Sequence, residues 1–369
     1  AVYRGIRIAD GIPIICKVLT CDYASAKERA SFRREFEICA KLNGEGTVKV
    51  HALATLNSGL AIIMEDFGGV SLDHDDSITD ADIGDKLLLA ARITEALAKI
   101  HHQKIIPKDN NPSNILRNPE TGMVKIIDFG ISAELPRETI PLPGAGVVEG
   151  DLSYISPEQT GRMNRPIDCR SDLYSLGITL YELFTGQLPF KGQDDLELVY
   201  CHIAKNAVPA RTVNPMIPET LSDIIGKLLS KSVDNRYQSA EGLLTDLNRC
   251  LEQMDRTGTI GHFTIGETDY AESFSIPHKL YGRENEIATL LETYQEVCEG
   301  TMQLLMVAGT PGVGKTALIQ EIHKSVSSGK AFFISGKFNL LERNLPYSAL
   351  IQAFRELAGQ LLCLPAEFL

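Results

Sequence analysis

Apolar and polar residues alternate along residues 2–8 and again along 12–19, a period of two that predicts two strands with one buried face each. Over 24–42 the spacing becomes that of a helix face. A further alternating pair, 48–54 and 60–65, runs into the breaker cluster Phe67-Gly68-Gly69. From residue 80 the pattern is mostly helical, interrupted between 104 and 166 by short strands and loops rich in Gly and Pro. A small β-rich lobe followed by a large helical lobe is the expectation. Residues 256–275 are rich in Gly, Thr and Asp with weak periodicity, the composition of an interdomain linker. Beyond them an apolar run, 304–308, meets a glycine loop and a helix-like segment, 315–326, and a second strand is expected over 331–335.

Chemistry-bearing residues fall at particular places in this pattern. Lys17 closes Ile14-Ile15-Cys16-Lys17 at the end of a predicted strand, and Glu35 lies on the next helix, a spacing that suits an ion pair. Either residue alone would read as an ordinary surface charge. Further on, Asp109-Asn110-Asn111-Pro112-Ser113-Asn114 is followed by Asp128-Phe129-Gly130, so that D-x-x-x-x-N precedes D-F-G. Phosphoryl transfer needs a carboxylate to accept the attacking hydroxyl's proton, an amide oxygen and second carboxylate for Mg²⁺, and a lysine on the phosphates. Asp109, Asn114, Asp128 and Lys17 supply that set, with Glu35 to orient the lysine. Asn-Pro-Ser-Asn and Asp-Phe-Gly would each also serve as turns; their order and separation carry the signal.

With these motifs residues 1–252 resemble a protein kinase domain of the eukaryotic Ser/Thr type, matched from its second strand onward. The resemblance implies an α+β bilobal kinase fold, truncated before Ala1-Val2-Tyr3-Arg4-Gly5 so that the glycine-rich loop is missing. It implies ATP and Mg²⁺ as cofactors and protein Ser/Thr hydroxyls as acceptors. It places Met64 at the gatekeeper position, the backbone of Glu65 and Phe67 at the adenine edge, and Val2, Ile15 and Leu116 on the adenine faces. Ser156-Pro157-Glu158, Asp172 and Arg236 correspond to structural positions, Arg236 pairing with Glu158.

Five positions, two of them in one motif, depart from the family. Pro107-Lys108-Asp109 stands for H-R-D, so the histidine that braces D-F-G is absent and lysine replaces an arginine capable of bidentate docking. Asn111 replaces a lysine, Ile15 an alanine, narrowing the adenine slot, and Asp151 a threonine beside Asp109. Either Asp151 repels Asp109 as a second carboxylate, or it turns outward to Lys108 or Arg162.

Gly309-Thr310-Pro311-Gly312-Val313-Gly314-Lys315-Thr316 is a full G-x-x-x-x-G-K-T between a predicted strand and a predicted helix. In such a loop Gly309, Gly312 and Gly314 let backbone N–H groups cradle phosphates, Lys315 reaches the β- and γ-oxygens, and Thr316 offers its hydroxyl to Mg²⁺. With Tyr281-Gly282-Arg283-Glu284 ahead of it, residues 278–369 resemble the start of an α/β P-loop NTPase domain of the AAA/STAND type, and 253–277 remain as linker. No acidic strand-borne second motif follows before Leu369. The pairing, together with Arg162-Met163-Asn164-Arg165, Gly336-Lys337-Phe338 and the segment 344–348, resembles bacterial multidomain signalling proteins. The resemblance implies downstream GAF and histidine kinase domains, as in two-component systems.

Composition narrows the rest. A net charge of -12 disfavours nucleic-acid binding, which needs clustered Lys and Arg, and no apolar run is long enough to span a bilayer. The eight cysteines are scattered without metal-ligand spacing and read as reduced thiols in a cytoplasm. The chain opens without methionine and stops inside an unfinished pattern, as a piece of a longer protein would. The leading expectation is an ATP-dependent Ser/Thr kinase coupled to a regulatory ATPase. Pro107 and Asp151 support the alternative, a pseudokinase or nucleotide-sensing module that controls downstream domains.

Overall fold

β1 (Val2–Ile6) and β2 (Pro13–Thr20) form an antiparallel hairpin in which Val2 faces Lys17 and Ile6 faces Pro13. The first strand ends earlier than its alternation predicts, because Arg7 pairs with Asp10 and Gly11 turns the chain with φ 72°. β4 (Gly59–Glu65) lies between β2 and β3 (Val50–Leu56), completing an antiparallel sheet of order β1-β2-β4-β3. α1 (Ala26–Leu42) is started by a capping box: Ser25 Oγ accepts the Glu28 N–H and Glu28 Oε2 accepts the Ser25 N–H. It ends at Asn43, φ 47°. Phe32, Glu35, Cys39 and Leu42 recur at helical spacing on its buried face, so Glu35 points inward with the apolar residues. This computed structural model describes residues 1–20, 25–56, 59–79, 81–134, 150–161, 167–269, 282–310, 313–315, 318–319, 334, 336 and 347–361.

The helical lobe begins after β5 (Val70–Ser71) and the short α2 (Asp76–Thr79). α3 (Ile83–His102) buries one face, including Thr94, and exposes a stripe through Leu88, Glu95, Lys99 and His102, while α4 (Cys169–Thr185) buries most of its length, including the polar Asp172, as a core helix does. Between them β6 (Ile105–Ile106), β7 (Ile115–Arg117), β8 (Val124–Ile126) and β9 (Ala133–Glu134) make two small sheets, β5-β7-β8 and β6-β9. α5 (Asp195–Ala204), α6 (Ala210–Val213), α7 (Glu219–Leu228) and α8 (Ala240–Thr257) complete it.

The stretch that composition reads as linker starts differently. It is helix to Thr257, and then packed chain to residue 269: Phe263 is buried, and Thr220 Oγ1 donates to Gly261 O at 3.0 Å. Asp269 accepts the N–H groups of Gln238 and Ser239 at 2.7 and 3.1 Å, at the start of α8. Its Gly and Thr residues serve turns and caps. The chain divides into two compact units at this point, Ala1–Glu272 and Ser273–Leu369.

The second unit contains the helices α9 (Glu284–Cys298) and α10 (Ser348–Leu361). The apolar run 304–308, expected as a strand, is irregular. Strand N–H and C=O groups need a neighbour, and the described residues of this unit supply none. Lys315, Leu318 and Ile319 are helical as expected, while the expected strand 331–335 lies almost wholly outside the described residues. Among the described residues no helix is long and apolar enough to cross a membrane.

Candidate active site

The alternation of β2 turns Ile15 and Lys17 to the same face. Lys17 Nζ donates to Glu35 Oε1 and Oε2 at 2.6 and 2.8 Å and to Asp128 Oδ2 at 3.4 Å. Burial pulls the Lys17 ammonium down, but the carboxylates of Glu35 and Asp128 outweigh it and the net shift is upward. Burial also pushes Glu35 up, against the pull of Lys17. The two shifts favour opposite states of one pair; contacts this short favour the charged one, because an ammonium left alone there would lose far more.

Asp128 sits with φ 65°, in the left-handed region that a short polar side chain tolerates. Its Oδ1 accepts the Gly130 N–H at 3.2 Å, and Ser31 Oγ of α1 donates to Gly130 O at 2.7 Å. Phe129 is fully buried behind it. Without a histidine at Pro107, the turn is braced locally: Ser132 Oγ donates to Phe129 O at 2.6 Å.

Asp109 is held by its own loop. Asn111 Nδ2 donates to its Oδ1 at 2.8 Å, and Asn114 Nδ2 donates to its Oδ2 and backbone O at 3.1 and 3.0 Å. Asn111 Oδ1 in turn accepts the N–H groups of Ser113 and Asn114, capping the 3-10 turn Pro112–Asn114. Burial raises the Asp109 carboxyl above its usual range, and the Asn111 amide pulls it back. Asp151 contributes the smallest push, so the expected repulsion is not what sets this group. The Asp151 N–H faces Asp109 Oδ1 at 3.5 Å, and the Asp151 carboxylate accepts the Ser153 N–H at 2.9 Å in its own turn. Of the two outward partners expected, Arg162 lies outside the described residues.

Asp172 ties this loop to α4. It is fully buried and accepts from the Lys108 N–H at 2.8 Å, Asn110 Nδ2 at 2.9 Å and His101 Nε2 at 2.8 Å. Lys108 has φ 71°, a strained backbone held in place by these contacts. His101 and Asn110 escape sequence reasoning, since the last turn of α3 also carries Lys99 and His102 and nothing marks His101 among them. Glu158 and Arg236 meet as a fork, Nη1–Oε1 2.7 Å and Nη2–Oε2 2.9 Å, with side chains 1% and 0% exposed.

Of the residues expected around an adenine, Met64, Ile15, Phe67 and Leu116 share one apolar cluster with Phe32, Val48, Leu60 and Ile62. Val2 stands apart at 64% exposed. Glu65 closes β4 beside Met64. Asn114 and Asp128 offer an amide oxygen and a carboxylate, the oxygen donors that suit a hard cation such as Mg²⁺. The Asn114 amide nitrogen is already engaged by Asp109, which leaves its oxygen as the outward acceptor; the Asp128 side chain is 46% exposed.

In the second unit Lys315 Nζ donates to Gly309 O and Thr310 O, both at 2.9 Å, closing the glycine loop on itself, and Gly314 has φ 89°. Gly312 and Thr316 lie outside the described residues.

Residues 1–246 match the protein kinase domain model and residues 279–367 the AAA ATPase domain model. The chain is 39% identical over 231 residues to hybrid signal transduction histidine kinase G of Dictyostelium discoideum, covering 57% of this chain and 7% of that protein. It is 35% identical over 256 residues to the serine/threonine-protein kinase PknB of Mycolicibacterium smegmatis (68% and 40%). To the serine/threonine-protein kinase PrkC of Bacillus subtilis it is 31% identical over 260 residues (69% and 39%). The chain thus spans well under half the length of these relatives.

Proposed function

Since the chain belongs to the protein kinase family, followed by an AAA ATPase domain, we propose that it transfers the γ-phosphoryl group of ATP to Ser or Thr hydroxyls of proteins. The observation that carries this reading is the meeting of Lys17, Glu35 and Asp128 in one hydrogen-bonded group, with Asn114, which holds Asp109, bonded to the residue before Asp128 through the Ile127 N–H to Asn114 O bond of 2.9 Å.

In this reading Ile15, Met64, Phe67 and Leu116 enclose the adenine, and the Glu65 and Phe67 backbone meets its edge. Lys17, oriented by Glu35, holds the phosphates. Asp109 takes the proton of the acceptor hydroxyl as oxygen attacks, and its raised pKa brings a carboxylate closer to a base matched to neutral pH. Asn114 and Asp128 hold Mg²⁺, which when bound neutralises charge on the phosphates. Residues 1–252 are the kinase domain in this proposal and 278–369 the beginning of a regulatory ATPase, where Gly309, Gly312, Gly314, Lys315 and Thr316 bind nucleotide. Downstream GAF and histidine kinase domains and a cytoplasmic setting belong to the same proposal; the identity to a protein named a hybrid signal transduction histidine kinase supports the histidine kinase domain alone.

The test is labelled phosphate transfer by the intact protein. Lys17→Met and Asp128→Asn are each expected to abolish autophosphorylation at unchanged circular dichroism, because both side chains act on phosphate and metal rather than on packing. Transfer undiminished in either variant refutes the assignment.

A further inference from the structure

Three consecutive residues, Glu65, Asp66 and Phe67, link the lobes, and each is tied to a different element. Arg4 Nε of β1 meets Asp66 Oδ2 at 2.6 Å. Asn118 Nδ2, just past β7, donates to Phe67 O at 2.5 Å. The third tie is the least exposed. Lys125 of β8, 9% exposed, donates from Nζ to Glu65 Oε1, and the same ammonium stands 5.1 Å from the centre of the Phe67 ring. That carboxylate oxygen also accepts the Lys49 N–H at 2.6 Å, while the Glu65 N–H donates to Lys49 O at 2.9 Å.

An ammonium in so enclosed a place is stable only with an opposite charge or an aromatic face against it, and Lys125 has both. Both come from residues whose backbone the kinase reading assigns to the adenine edge. Lys125 also lies three residues before Asp128, and its strand is fixed to the loop before β3 by the Ile126 N–H to Gly46 O bond of 2.9 Å.

We propose that Lys125 is a positioning residue for the adenine base: by gripping the Glu65 carboxylate and the Phe67 ring together, it fixes the backbone between them from the strand that delivers Asp128. The proposal rests on the kinase reading. It predicts a loss that follows the base and not the phosphates.

The experiment measures binding of N-methylanthraniloyl-ATP to the intact protein in a Lys315→Ala background, with displacement by ATP and by adenosine. Lys125→Met is expected to weaken ATP and adenosine by the same factor, roughly tenfold, the scale for losing a partly buried charge-assisted contact. The number of sites should stay unchanged, and Lys125→Arg, which keeps the charge and the ring contact, should return within about twofold. Parent-like affinities in Lys125→Met, or fewer sites at unchanged affinity, would overturn the positioning role and leave the kinase reading standing. A parent protein whose probe is displaced by neither ligand would overturn both.

Discussion

Asn111 donates from its amide to Oδ1 of Asp109 at 2.8 Å, so the position at which the resemblance to Ser/Thr kinases implies a lysine is here part of the cradle of Asp109, the proposed base. The same side chain caps the turn that presents Asn114. Removing it takes away the contact that most opposes the upward pull of burial on Asp109. The pKa should rise further, and a base is lost as pH falls through its pKa, so the acid limb of activity should move to higher pH. Asn111→Ala is expected to lower phosphotransfer about tenfold at neutral pH, since Asp109 and the turn under Asn114 both lose a support, and to move the acid limb upward. A pH profile of initial rates checks both.

The Glu158–Arg236 fork is satisfied on every side. Ser171 Oγ donates to Glu158 Oε1 at 2.7 Å, and Arg236 also reaches Ser230 O at 2.8 Å and Arg170 O at 3.0 Å. Deleting one partner strands the other charge in a dry interior. Arg236→Met should cost about 3–5 kcal/mol, and the double change to Met at 236 and Gln at 158 distinctly less, since no buried charge then remains. Denaturant unfolding of the two variants separates an uncompensated charge from a general packing loss.

His202 gives the fold a pH dependence of its own. It is fully buried between Tyr174 and Phe190, and Nδ1 shares a 3.2 Å hydrogen bond with Tyr174 OH. Burial, with the nearby Lys231 ammonium, pulls its pKa from 6.5 to about 4. A depressed folded pKa gives stability that is complete above 6.5 and is lost as pH falls towards 4, because only the unfolded chain takes the proton. The loss over that window is about 3 kcal/mol. His202→Phe, which keeps an edge-to-face ring, should flatten this part of the stability curve; urea midpoints between the two pH values report it.

What the sequence makes legible is chemistry at fixed spacing. Lys17 with Glu35, and Asp109 with Asn114 and Asp128, are rare combinations whose order has few alternative explanations, and the structure brings Lys17 into contact with Glu35 and Asp128, and Asp109 into contact with Asn114. Contacts made only by packing leave no such trace. His101 reaches Asp172 because α3 and α4 lie side by side, and Lys125 reaches Glu65 because two strands of different lobes abut. Likewise Ser132, which supplies a brace for the D-F-G turn where Pro107 cannot, is one serine among many until the turn is built. Val2, expected on an adenine face, is largely exposed, since alternation assigns a face of a strand and not what covers it.

Asp151 is the case where a charge in the right place acts through its backbone. Sequence order sets a second carboxylate beside Asp109, and Coulomb repulsion would then raise the base. In the structure the Asp151 side chain accepts the Ser153 N–H at 2.9 Å, and the part of Asp151 that faces Asp109 is its amide, which lowers the base pKa more than the Asp151 charge raises it. Threonine has the same amide and can accept the same N–H with its hydroxyl. Asp151→Thr should therefore leave the phosphotransfer rate within about twofold and the acid limb within a few tenths of a pH unit, because an exposed charge is screened by water and salt. Proline at 151 removes the amide and keeps the site uncharged, so Asp151→Pro should shift the acid limb upward. Rate profiles of the three proteins over pH 5 to 8, taken at low and at physiological ionic strength, decide between amide and charge. A salt-dependent acceleration in Asp151→Thr would restore the repulsion argument.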